Sequence, residues 1–166
     1  EMGNLINLTT LNLNNNRLIG SIDFLTGLGN LINLDLNSNQ LTEGIFHAFE
    51  NLPNLTSLQL GDNNFIYHFA SSEFIDLPAI QSIYLAGNQL SGPIPNFSSL
   101  QYLQFLDISR NEFSGPLNIS MLDNGLGTLQ NLNISEIKRP EMDAALVGAN
   151  IAHQLKKKVS YRRVVN

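Results

Sequence analysis

Residues 8–16, LTTLNLNNN, decide how this chain is to be read. Leucine stands at 8, 11 and 13, and an asparagine closes the run at 16. The same spacing returns in LINLDLNSN at 31–39, LTSLQLGDN at 55–63, IQSIYLAGN at 80–88 and LQFLDISRN at 103–111. The closing asparagines are Asn16, Asn39, Asn63, Asn88 and Asn111, separated by 23, 24, 25 and 23 residues. A pattern kept in phase five times at a period of 20–50 residues signals stacked supersecondary units.

Each column of the pattern has a physical role. In L-x-L, strand alternation turns the two apolar side chains inward and the residue between them outward. Strands are therefore predicted at Leu11–Leu13, Leu34–Leu36, Leu58–Leu60, Ile83–Leu85 and Leu106–Ile108, their apolar residues stacking into one core. No single unit buries that face alone, so stability grows with neighbours. The asparagine falls where the chain leaves the strand and turns. There its amide can satisfy backbone groups of the turn and of the next coil. A second pattern, LIGSI, LSGPIP and FSGPLN, places Gly20, Gly92 and Gly115 in one column, where glycine permits unusual backbone angles and proline pins an extended segment. LTEGIF shifts that glycine and FIYHFASSEF lacks it, so the third interval is the expected place for a distorted convex segment.

The L-x-x-L-x-L-x-x-N pattern resembles the leucine-rich repeat family over about three quarters of the chain, and the L-x-G-x-I-P element resembles its plant-type subclass. The resemblance implies an α/β-type, right-handed solenoid over residues 1–130, of about five repeats, with a short parallel sheet on its concave face. In that family the concave sheet usually binds the ligand, a protein or peptide. Here the outward positions that would carry binding are Asn12, Asp35, Gln59, Tyr84 and Asp107, with Phe105 and Arg110 beside them. Tyr84, Phe105 and Arg110 are of the residue types that dominate interface energetics. Equally, Phe105 is read as packing against Tyr84.

Composition narrows the chemistry. There is no cysteine, so disulfides, thiol nucleophiles and thiolate metal sites are excluded. His47, His68 and His153 stand alone, without the spacing of a metal site or a catalytic triad. No phosphate-binding loop or nucleophile elbow occurs. The expectation is a non-enzymatic protein with no cofactor and no metal. No apolar run is long enough to span a membrane. The start, EMGNLINL, reads like the middle of a repeat, and the chain reads as a fragment. Sequons occur at Asn7, Asn54, Asn96, Asn118 and Asn133, and matter only in a eukaryotic secretory route.

Charge divides the chain. Residues 1–130 hold two basic side chains, Arg17 and Arg110, against eleven acidic ones; residues 131–166 hold seven basic against three acidic, so −9 and +4 make up the net −5. The closing stretch contains Pro140, then Ala144, Val147, Ile151, Leu155 and Val159 at helical steps, which predicts an amphipathic helix. By composition it is a cap for the last repeat. Its residues, NISEIKRPEMDA, LVGANIAHQL and KKKVSYRR, closely resemble the bacterial small-subunit ribosomal protein that carries a KH domain, the third of its series. That resemblance covers residues 131–166 and implies phosphate contacts to RNA at Lys157, Lys158, Arg162 and Arg163. No GXXG clamp lies upstream of Asn131, so such contacts would be weak and non-specific. The leucine phase continues through Leu129, Leu132 and Ile134 but puts Ile137 where asparagine belongs. A sixth strand at 132–134 and a fusion near Gly125–Asn133 are the expectations. The repeats point to an extracellular or cell-surface site and the tail to the cytoplasm. An interaction module, an RNA-associated protein and a chimera all remain open at this point.

Overall fold

The structure, a computed structural model, describes residues 5–45, 52–70, 77–114, 128–137 and 159–160. Seven short strands form one parallel sheet: β1 (Thr10–Asn12), β3 (Asn33–Asp35), β5 (Ser57–Gln59), β7 (Ser82–Tyr84), β9 (Phe105–Asp107), β11 (Asn131–Asn133) and β12 (Val159–Ser160). Leu11, Leu34, Leu58, Ile83, Leu106 and Leu132 pair in that order, so the apolar column of the sequence becomes a stack. The strands begin and end one residue before the predicted ones. The second apolar residue of each pair already belongs to the turn, although its N–H still bonds the next coil, as Leu13 does to the Asp35 carbonyl at 2.8 Å.

Beyond that residue, every coil turns through a left-handed backbone position. Asn15, Ser38, Asp62, Gly87, Arg110 and Glu136 have φ between +51° and +68°. Only one of the six is glycine, so the repeat geometry imposes a conformation that costs an L-residue about 1 kcal/mol or more.

The asparagine that follows fastens this turn. Asn63 is buried; its amide nitrogen lies 2.9 Å from the Leu36 carbonyl, 3.2 Å from that of Leu60 and 3.1 Å from that of Gly61, while its oxygen accepts the Leu41 N–H at 3.1 Å. Asn39, Asn88 and Asn111 repeat the arrangement. The neighbour served is therefore the preceding coil, not the next one as expected. The side chain points back under the coil already laid down. Asn16, with no described coil before it, is exposed and bonds only within its own turn, to Leu13 and Asn14. Leu13 is half-buried for the same reason, where Leu36, Leu60 and Leu85 are at most 1% exposed.

The remaining strands, β2 (Ile19–Ser21), β4 (Gln40–Glu43), β6 (Ile66–His68), β8 (Gln89–Pro93) and β10 (Glu112–Ser114), form two further parallel sheets, β2–β4 and β6–β8–β10. Gly20, Gly44 and Gly92 carry φ of +83° to +84°. The shifted Gly44 is absorbed by a bulge, with Gly20 opposite Leu41 and Ser21 opposite Glu43. The stretch without glycine still provides β6, and Phe69 from it packs against Phe113 at 5.8 Å between ring centroids. Phe65, Phe69, Phe97 and Phe113 fill the interior between the sheets and are at most 1% exposed. Each such buried ring stabilises by about 2–3 kcal/mol before conformational entropy is counted.

The long sheet runs on past residue 130. β11 pairs with β9 in register, Leu132 against Leu106, and Leu132 and Ile134 are both 3% exposed. β12 then pairs with β11, Val159 against Leu132. Val159 is thus a strand residue, contrary to its place in the predicted helix, because a backbone partner 27 positions upstream claims it. The rest of that predicted helix, residues 140–158, lies outside the described residues, as does Gly115. Among the described residues there is no α-helix; 3-10 geometry occurs at Asp23–Gly27 and at Thr128.

Candidate functional site

The outward face of the long sheet carries three columns. The central one is Asn12, Asp35, Gln59, Tyr84 and Asp107, all partly or largely exposed, continued by Asn133 on β11. Parallel register places Asp35, Gln59, Tyr84 and Asp107 side by side on consecutive strands. The register thus lines up the central-column residues on one surface of the sheet.

Two hydrogen-bond networks occupy its ends. On the N-terminal side, Asn14 Nδ2 donates to Asp35 Oδ2 at 2.6 Å, the Asn37 N–H to Asp35 Oδ1 at 3.1 Å, and Asn37 Nδ2 to Gln59 Oε1 at 2.9 Å. On the C-terminal side, Ser109 donates through N–H and hydroxyl to Asp107 Oδ1, at 3.0 and 2.6 Å, and Asn133 Nδ2 donates to Asp107 Oδ2 at 2.9 Å. Between them lie Ser57, Ser82, Gly61, Ala86 and the Tyr84 ring, which is 36% exposed. Among the described residues the Tyr84 hydroxyl has no hydrogen-bond partner. Tyr84 and Phe105 are diagonal neighbours on β7 and β9 and form no stacked or edge-on ring pair.

Arg110 stands at the turn rather than on the sheet. Its Nη2 lies 2.9 Å from Asp62 Oδ1, so it enters the face as half of an ion pair. That pairing was not legible in the sequence. Nor was an open cavity of about 510 Å³ lined by Asn7, Thr9, Asn30, Ile32, Asn54 and Thr56, where three successive coils enter their strands. The repeated N-L-T or N-L-I at 7–9, 30–32 and 54–56 is the signal that locates it. Lys157, Lys158, Arg162 and Arg163 lie outside the described residues. Among the described residues no helix is long and apolar enough to cross a membrane.

Two leucine-rich repeat family models match this chain, one over residues 46–90 and one over 7–28, 30–52 and 102–127. Receptor-like protein 39 of Arabidopsis thaliana is 35% identical over 121 residues, 70% of this chain and 14% of that protein. This chain therefore spans about a seventh of the length of that curated relative. Among solved structures, the PEPR1–AtPEP1 complex is similar with a TM-score of 0.73 at 29% identity, over 82% of this chain and 19% of that one. The plant peptide hormone receptor RGFR1, solved in complex with RGF2, gives 0.53 at 26% identity, over 83% of this chain and 30% of that one. A short segment matches elsewhere: the small ribosomal subunit protein uS3 of Cytophaga hutchinsonii is 65% identical over 34 residues, 20% of this chain and 13% of that protein. The repeat models cover more than half of the sequence, and the stacked coils are the architecture those repeats specify: the chain belongs to the leucine-rich repeat family.

Proposed function

We propose that this chain is a non-enzymatic protein-interaction module that holds an extended protein or peptide segment on the outward face of its long sheet. The observation that carries the reading is the gap at Tyr84: an exposed ring whose hydroxyl has no partner among the described residues, floored by small residues and bounded by two hydrogen-bonded networks. Preorganised polar edges around an aromatic anchor are what a recognition surface needs, since such anchors contribute most of the energy of an interface. Asn12, Asp35, Gln59, Phe105, Asp107 and Arg110 are the further contact residues. RGFR1, a plant peptide hormone receptor, is a structural neighbour and supports the reading. The test is selection of peptides from a random display library, followed by Tyr84→Ala and Gln59→Ala. Loss of binding on either substitution is expected; binders indifferent to both refute it.

The tail is the C-terminal cap in this reading, because β12 adds its backbone to β11. The uS3 match favours a second role, phosphate contacts to RNA from Lys157, Lys158, Arg162 and Arg163. Such contacts weaken steeply with salt and carry no sequence preference. RNA titrations at two ionic strengths decide it: salt-resistant, sequence-selective binding would replace the interaction-module reading.

A further inference from the structure

Along the central column, two carboxylates flank Gln59 and Tyr84. Asp35 and Asp107 lie on β3 and β9, in one register row and three strand steps apart. Strands neighbour one another at ~4.8 Å, so the two carboxylates are separated by about 14 Å. Each is held by neutral donors: Asp35 by two and Asp107 by three. An ionised carboxylate has about four acceptor sites, which leaves capacity on both. Among the described residues neither has a cation partner, and the ion pair on this side of the molecule joins Arg110 to Asp62. The outward positions of the sheet from β1 to β11 contain no Lys or Arg at all. The surface is thus amide- and hydroxyl-rich, with two uncompensated negative points at a fixed interval.

That interval matches a ligand period. An extended chain advances ~3.3 Å per residue, so four residues span about 13 Å, and residues an even number apart face the same side. Resting on the concave-face reading above, we infer that the preferred occupant is an extended peptide crossing the strands with basic side chains at i and i+4 and an apolar residue at i+2. The basic groups meet Asp35 and Asp107, and the i+2 side chain lies over the Tyr84 ring and the Gln59 side chain. Complementary charge fixes register and partner choice more than raw affinity. A spacing of three would turn one basic group away from the sheet.

Three synthetic peptides test this: GKSLSKG, the shifted GKSLKSG and the acidic GESLSEG, each titrated by fluorescence anisotropy at low salt. GKSLSKG should bind about tenfold more tightly than GESLSEG, about 1.4 kcal/mol, which two exposed ion pairs can supply. The shifted peptide should fall between them. The preference should vanish in the Asp35→Asn, Asp107→Asn double variant, with its melting temperature checked against the parent. Equal affinities, no binding of GKSLSKG, or a preference that survives the double substitution each overturn the inference. Library binders that are lost on Tyr84→Ala yet carry no basic pair sink this inference and leave the concave-face reading standing. A library without binders sensitive to Tyr84 or Gln59 sinks both.

Discussion

Arg110 and Asp62 belong to coils two apart, yet the guanidinium of one reaches the carboxylate of the other at 2.9 Å by passing over Gly87 in the coil between. All three residues occupy the same left-handed turn position. A Cβ on Gly87 would run into Asp62 Oδ1 and approach both Arg110 Nη atoms. The pair is half exposed, so by itself it contributes about 1 kcal/mol or less. Gly87→Ala should cost more, about 1–2 kcal/mol, because it adds backbone strain at φ +68° to the loss of the bridge. Urea unfolding of Gly87→Ala, Asp62→Ala and the double variant should show less than additive losses. Strict additivity would mean that the bridge and the glycine are independent.

The asparagine ladder predicts a graded series. Asn63→Ala strips a buried turn of contacts to three carbonyls and one N–H, and should destabilise by about 3 kcal/mol. Asn16→Ala removes bonds made in the open and should cost well under about 1 kcal/mol. Equal losses in thermal unfolding would contradict the bridging role.

Gly20 and Gly92 share their φ but not their surroundings. A Cβ at Gly20 meets nothing within 4 Å, whereas one at Gly92 collides with the Phe69 backbone. Gly20→Ala should cost about 1 kcal/mol, the conformational part alone. Gly92→Ala should cost at least about 2 kcal/mol, since a carbonyl cannot swing aside as a side chain can. Matching melting temperatures for the two variants would leave the close packing of β6 on β8 without consequence.

At the join, Ile134 is 3% exposed. Ile134→Asp should destabilise by about 3 kcal/mol, as burial of an unpaired charge does. An unchanged transition in differential scanning calorimetry would mean that the sixth coil is not part of the cooperative unit.

The parts of the fold that repeat were legible, and the parts that depend on one particular neighbour were not. Leu34 and Leu58 could be assigned to the core because five copies fixed their phase, and every outward position followed from the same count. The direction in which Asn39 reaches, back to Leu13, depends on how successive coils lie on one another, which a linear pattern does not encode. The Arg110–Asp62 bridge spans 48 positions and owes its path to the small size of Gly87. Val159 misled for a related reason. Its apolar spacing continued a helical series, while the bond that claims it comes from β11, far outside any local window.

The ladder also gives the molecule a polarity in time. The N–H groups of Leu18, Leu41, Phe65 and Leu90 are each capped by an asparagine one coil later, at 3.0–3.1 Å. Each coil is therefore latched by its successor, and the series ends at Ile137, which has no amide to lend. Opening should start from the C-terminal side and travel backwards, each departing coil exposing the latch point of the one before. In native-state hydrogen exchange the four amides should lose protection in the order Leu90, Phe65, Leu41, Leu18, so that the solenoid records its own fraying coil by coil.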